Sequence, residues 1–383
     1  MSETLDAPVA RNTSCGDAGN PETRAACEPS SQSCRFVSGA KGPPPGSYDA
    51  DVVILALERP EETLAAIASA LRQRGVSRHV FVVDQGSSPG TLRRLAAAVS
   101  GRPDATLVSL SGNQGVAGGR NHGSALGHGR VIAALDNDAE YATDDTLARM
   151  VRALDAEPGL GAIGCRITSY ATGRDDLSSW GYPKTLLPSS AHAFDTVTFV
   201  GAGHAIRRTA WEDAGGYDGA LFFCWEEYDF CLRAIALGWQ VRYRGDIVVR
   251  HKVSPDRRIA WSGGRWFYHV RNRLYIARKQ GAGWLALASR IAGYVVKGLR
   301  NGRPLQTVQA VRAGMALPVK IGADRLPREA RAYLRRNDRL HRGSVARRVW
   351  REVLAGMPGH AVASPLAADH RAHPSPSGFP LGQ

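Results

Sequence analysis

The sequence contains no run of about 18 apolar residues, the length a helix needs to cross a bilayer. The nearest approach, Trp284 to Val296, is short and interrupted by Arg290, so a membrane span is not expected. The start of the chain, MSETLDAPVARNTSCG, lacks the basic-then-apolar order of a secretory signal. The six cysteines show neither the spacing of a zinc site nor a disulfide framework, which fits reduced thiols in a cytoplasmic protein. No internal repeat, zinc finger or recognition helix is evident, so nucleic acid is not an expected partner. Acidic residues are scarce in one place only. Formal net charge is +14 overall, but it is −2 over residues 1–50, −3 over 51–250 and +19 over 251–383. A local basic excess of that size suits an anionic partner such as phosphates or a membrane surface.

The 43% hydrophobic content suffices for a sizeable core. Residues 1–48 are rich in Ser, Gly, Pro and Asn without apolar periodicity, and are expected to be disordered, as is the tail 357–383. Order is expected from Asp51, where DVVILAL reads as a buried strand. A helix follows with Leu64, Ile67, Ala68 and Leu71 on one face. HVFVVD gives a second strand ending at Asp84, then a helix near Leu92–Val99, a strand ATLVSL, a Gly-rich loop and a strand VIAALD ending at Asp136. Strands alternating with amphipathic helices imply an α/β fold with a largely parallel sheet, whose ligands bind beyond the carboxyl ends of the strands. Further on, LGAIGCRI and TVTFVGAGHAIRR read as strands, WEEYDFCLRAIALG as a helix, and WQVRYRGDIVVRH as one or two strands ending at His251. From Gly264 the chain reads as helical and basic. At its far end, SVARRVWREVLAGM puts Val345, Val349, Trp350, Val353 and Leu354 on one helical side and Arg347, Arg348 and Arg351 on the other. Residues 325–356 are therefore expected either to pack that apolar side on the catalytic domain or to lie on an anionic membrane.

Chemistry concentrates at Asp136-Asn137-Asp138. Two carboxylates so spaced at a strand end suit Mg²⁺ or Mn²⁺, hard cations held by one or two carboxylates plus substrate phosphates; an N-cap pair for the following helix is the plainer reading. The neighbouring segments are VVDQGSSPG, NQGVAGGRNHG, GGYDGALFFCWEEYDFCLRAIALGWQVRY, the late His251 and RWFYHVRNRLYIARK.

In order and spacing these segments resemble the family 2 glycosyltransferases. The resemblance implies a GT-A fold, a Rossmann-like nucleotide-sugar-binding arrangement of helices around a central mixed, mainly parallel sheet. Here it would span residues 49–262, with a basic helical extension over 263–356. It implies that Asp84 contacts the donor nucleobase, that Asp136 and Asp138 bracket a divalent cation and the donor diphosphate, and that His251 is a further metal ligand. Arg120 and Asn121 would touch the donor, Glu227 would be the catalytic base, and Trp225, Glu226 and Asp229 would lie towards the acceptor. Gly118 and Gly119 would allow close backbone approach, and Gly215 and Gly216 would be structural. Departures are visible: the first strand runs into LALERPEE, Pro89 follows the Asp84 turn, and the acidic pair is Glu-Glu where Glu-Asp is common. The longer arm of Glu227 leaves Glu226 and Asp229 as reserve bases.

The implied activity is transfer of a sugar, with inversion, from a nucleotide sugar to an acceptor hydroxyl. That acceptor could be a saccharide, a lipid-linked molecule or a small molecule, on an enzyme that is cytoplasmic or peripheral on the inner membrane face. A sugar nucleotidyltransferase is the alternative, although LERPEETL lacks the Gly-rich phosphate loop such enzymes carry after their first strand. A non-catalytic nucleotide-sugar or anionic-surface binding protein is another.

Overall fold

Apolar runs that continue on both faces of a strand need a cover on each side, and the structure supplies it. The computed structural model describes residues 34–252, 264–344, 346 and 350–354. Four parallel strands form its centre: β2 (Ala50–Ala56), β3 (Arg78–Asp84), β4 (Ala105–Leu110) and β5 (Val131–Leu135), ordered β4-β3-β2-β5. Val52 and Ile54 face one core with α1 (Pro60–Leu71), α2 (Pro89–Val99) and α4 (Thr146–Asp155). Val53 faces the other, with α3 (Gly115–Ala125), α5 (Arg208–Ala214) and α6 (Glu226–Ala236). This is period-2 alternation with both faces buried.

Beyond β5 the sheet becomes mixed. β9 (Gly203–Arg207) runs antiparallel to both β5 and β7 (Leu160–Ser169). β10 (Gln240–His251) is parallel to β7 and antiparallel to β6 (Ala139–Tyr141) and β8 (Ala193–Asp195). The sheet is thus mixed and mostly parallel in strand direction, as expected.

Several local expectations are corrected. Residues 34–39 form a strand, β1 (Cys34–Gly39), antiparallel to β4, inside the segment expected to lack regular structure. The Gly-rich stretch after β4 is mostly the helix α3, because Gly119 and Gly123 let it lie against Gln85 and Val53 where a side chain would clash. Of 196–208 only Gly203–Arg207 is strand.

The basic region folds as α7 (Trp266–Lys279), α8 (Trp284–Arg300), α9 (Pro304–Ala316) and α10 (Arg328–Asn337). α7 and α9 pack together, with Trp266 Nε1 donating to Thr307 Oγ1 at 2.8 Å and Arg278 donating to the carbonyls of Gly314 and Leu317 at 3.0 and 2.9 Å. α10 buries Ala330 and Leu334 in the core behind α6, and Tyr333 bonds both backbone groups of Val241. Part of the 325–356 segment is therefore core-packed. The expected amphipathic helix over 344–357 falls largely outside the described residues; Trp350–Leu354 forms a turn whose Val353 lies near Gly293 of α8.

Candidate active site

The carboxyl ends of β2, β3 and β5 meet at one edge of the sheet. β2 runs into Glu58 and Arg59, whose φ angles of 54° and 55° are left-handed, a region that bulky residues rarely enter. Bonds on both side chains hold them there. Glu58 accepts from Ser88 N at 2.5 Å and Thr91 Oγ1 at 2.6 Å, tying the tip to the start of α2. Arg59 donates to Asp138 Oδ2 at 2.9 Å. β3 delivers Asp84, buried, whose carboxylate accepts from the Gly86 and Ser87 amides at 3.3 and 3.2 Å and from Ser109 Oγ at 3.0 Å.

β5 delivers Asp136 and Asp138, and the register of β10 on β6 sets His251 opposite Ala139, next to Asp138. One ligand atom each from Asp136, Asp138 and His251 lie within 4.8 Å of one another. His251 Nε2 is 3.2 Å from Asp138 Oδ1, while Nδ1 faces Asp176 Oδ2 at 3.0 Å. A carboxylate behind the ring orients it with Nε2 towards Asp138, the usual support of a metal-binding histidine. Burial pulls the His251 pKa down, but its bonds to Asp138 and Asp176 outweigh that and raise it to about 9. Burial likewise raises Asp138, and the His251 and Arg59 contacts overcome it to leave a lowered pKa. Two carboxylates and an imidazole form a donor set that fits a divalent cation of the Mn²⁺ or Mg²⁺ kind.

Arg120 of α3 is buried and joins this group to the acidic pair. Its Nη2 donates to Asp136 Oδ1 at 2.9 Å and to the Gly201 carbonyl at 2.7 Å, and its Nη1 to Glu227 Oε1 at 3.1 Å. Its burial disfavours the charge, and the surrounding carboxylates more than restore it. Glu226 and Glu227 open α6. Burial raises the Glu227 pKa and Arg120 only partly offsets it. Burial and the neighbouring Glu227 charge push Glu226 well above the ordinary range, and among the described residues its Oε2 has no hydrogen-bond partner.

The acidic pair sits on a strained approach. Phe222, Cys224 and Trp225 all have positive φ, of 60°, 70° and 76°. Asn272 of α7, fully buried, donates its amide to the carbonyls of Leu221, Phe223 and Cys224 at 2.8, 2.8 and 2.7 Å. The Phe222 carbonyl accepts from Val116 N at 2.6 Å at the start of α3. One buried amide thus holds the loop that aims Glu227 at Arg120.

Other expected residues are placed differently. Asn121 clamps the backbone of Tyr217, donating to its carbonyl at 2.8 Å and accepting from its amide at 3.0 Å, so its amide group is spent on the GGYDG turn. Asp229 is buried in an ion cluster with Arg233 at 3.0 Å and Lys279 at 3.1 Å, which also binds Asp218 at 2.8 Å. Facing Lys279 and Arg233, it ties α6 to α7 rather than joining Glu227. Trp225 donates Nε1 to the His269 carbonyl at 3.1 Å and lies 4.9 Å from the Arg273 guanidinium. Arg59, Asp176 and Asn272 were not singled out from the sequence. Their partners lie 79, 75 and up to 51 residues away in the chain, and no spacing rule reaches that far.

Comparison with known proteins agrees with this geometry. Residues 51–215 match the profile described as Glycosyl transferase family 2. The succinoglycan biosynthesis protein ExoO of Rhizobium meliloti (strain 1021) is 38% identical over 108 residues, 28% of this chain and 30% of that protein. The match therefore spans under a third of that relative's length. Among solved structures, GalNAc-T7 with UDP, GalNAc and Mn²⁺ superposes with a TM-score of 0.51 at 13% identity, covering 80% of this chain and 56% of that one. The mannosyltransferase PcManGT from Pyrobaculum calidifontis, in complex with GDP-Man and Mn²⁺, gives a TM-score of 0.49 at 19% identity, covering 81% and 85%. The fold is of the GT-A kind, and residues 51–215 are similar to the glycosyl transferases of family 2.

Proposed function

We propose that this protein transfers a sugar from a nucleotide-sugar donor to an acceptor hydroxyl with inversion, using Glu227 as general base and a divalent cation held by Asp136, Asp138 and His251. The observation that carries the reading is the convergence of those three side chains within 4.8 Å at the sheet edge. The cation, when bound, would stabilise the charge that grows on the departing diphosphate. GalNAc-T7, of similar fold, is recorded with UDP and Mn²⁺, which supports a nucleotide and a metal as this chain's ligands too.

The residues of the chain then divide the work. Asp84, at the tip of β3, contacts the nucleobase. Arg120 bonds both Asp136 and Glu227, and its charge offsets part of the burial that raises the Glu227 pKa. Glu227 accepts the proton of the acceptor hydroxyl as its oxygen bonds to the anomeric carbon. The bond from that carbon to the leaving phosphate oxygen breaks, and the nucleoside diphosphate departs with the electron pair. A base with a raised pKa takes this proton more readily at neutral pH than an ordinary glutamate would. Glu226, whose carboxyl burial shifts towards its protonated form, can then donate a hydrogen bond towards the acceptor, and the Trp225 indole offers it an apolar face. The acceptor is a saccharide end, a lipid-linked molecule or a small molecule.

A screen of UDP-, GDP- and dTDP-sugars with Mn²⁺ or Mg²⁺ tests the reading. Release of one nucleoside diphosphate, abolished by EDTA, is the expected result. No release with any donor, or full turnover in excess EDTA, contradicts it.

A further inference from the structure

α8 carries two apolar stripes, and among the described residues only one of them is packed. On the inner side Leu287, Ile291 and Tyr294 lie against the Trp266 cluster of α7. About 130° away at 100° per residue, Leu285, Ala288, Ala292, Val296 and Leu299 form a second stripe, all exposed. Leu285 and Leu299 are 66% and 58% exposed, and Trp284 at the head of the helix is 75% exposed. α9 repeats the arrangement, with Ala310 inside and Leu305 and Val308, 70% and 50% exposed, outside. A helix apolar all round is ordinarily covered all round, and an exposed apolar area of this kind marks an interaction surface.

Charge identifies the partner. From Trp284 to Ala323 the sequence has no acidic residue, while Arg300, Arg303, Arg312 and Lys320 are among its basic ones. A second copy of the same face would oppose like charges. An anionic bilayer meets both features, taking the apolar stripe into its interface and the arginines among its headgroups. No helix among the described residues is long and apolar enough to cross a membrane, so the helices would lie flat.

We propose that α8 and α9 form a docking face for an anionic lipid surface. This relocates the membrane contact expected of residues 325–356, where Ala330 and Leu334 are instead committed to the core. The face is separate from the strand-tip site and its assignment does not depend on the catalytic reading.

The test is sedimentation of the full chain, without donor, with vesicles of phosphatidylcholine alone or mixed with phosphatidylglycerol, at low and high salt. Binding should require the anionic lipid and weaken with salt. The double variant Leu285→Glu/Leu299→Glu, altered only at exposed positions, should bind about tenfold or more weakly. Its nucleoside diphosphate release in solution should be unchanged. A second variant, Arg300→Gln/Arg312→Gln, should lose affinity chiefly at low salt. The proposal is overturned if the wild-type chain ignores anionic vesicles, or if the Leu285→Glu/Leu299→Glu protein binds as wild type, which returns the contact to residues 325–356. It is also overturned if the lipid-free protein is a dimer that this variant makes monomeric, since the face would then be a contact between copies. Because no donor is present, failure here leaves the catalytic reading standing, and a failed donor screen leaves this one standing.

Discussion

The strand-tip site and the α8–α9 hairpin are both rich in arginine and use it differently. At the site each cation lies on a carboxylate: Arg59 on Asp138, Arg120 on Asp136 and Glu227, and Lys279 on Asp218 and Asp229 behind them. On the hairpin the sequence offers the cations no acidic neighbour over forty residues, Trp284 to Ala323. Paired charges in a partly buried setting fix geometry and tune protonation. A stretch of cations without local acids suits an anionic surface outside the chain. On the two proposals made above, the same residue type serves a reaction site in one region and a docking face in the other.

The largest effect should come from removing a carboxylate that gathers the cation. Asp138→Ala should lower kcat by about 10³-fold or more, since a charge-stabilising contact at the leaving group is lost. The fold should persist, which circular dichroism checks. If turnover survives, the paired charges at this edge are structural only.

Next in size is Glu227→Gln, which keeps the shape and removes the proton acceptor. It should lower kcat by about 10²-fold or more with little change in donor KM. The sign of the pH effect follows from burial. The base must be ionised, and burial raises its pKa. Wild-type kcat/KM should therefore fall as pH drops through a value above that of ordinary glutamate, and this limb should vanish in Glu227→Gln. A wild-type limb at or below the ordinary glutamate value would assign the base to a group outside the buried acidic pair.

A smaller effect is expected at Asn272, which touches no reacting group. Asn272→Ala removes the side-chain donor shared by the carbonyls of Leu221, Phe223 and Cys224, of which Leu221 keeps a bond from Arg271, costing about 1–3 kcal/mol of stability. It should lower kcat several-fold, roughly as the loop before Glu227 loosens, with donor KM nearly unchanged because the metal and nucleobase contacts lie on other strands. A change in donor KM alone, with kcat intact, would mean that the loop does not aim the base.

The two halves of the sheet differ also in how much the sequence revealed. β2, β3, β4 and β5 are buried on both faces, so each reads as an apolar run with a clear end, and the ends carry Asp84 and Asp136. β6 and β8 span three residues each and exist only through pairing with β10, which no local pattern shows. β1 is an edge strand whose Arg35 and Phe36 are exposed, so its composition resembles the polar segment before it. In the site, the Asp-x-Asp spacing, the acidic pair and His251 could be picked out because each is local. The left-handed tip at Glu58 and Arg59, the Asp176 support of His251 and the Asn272 strap could not, because each depends on contacts between distant segments. Asp229 looked interchangeable with Glu227 by sequence, and only the helical turn of α6 separates them, sending one to Arg120 and the other to Lys279.

The claim at the centre is that Asp136, Asp138 and His251 hold a divalent cation together with the donor diphosphate. The most direct measurement is titration of Mn²⁺ into the full chain in the presence of a nucleoside diphosphate, followed by electron paramagnetic resonance of the free ion, for wild type and Asp138→Ala. One Mn²⁺ site in wild type, tightened by the nucleotide and lost in the variant, is the result this account predicts. Equal Mn²⁺ binding by the two proteins, or none by either, would contradict it.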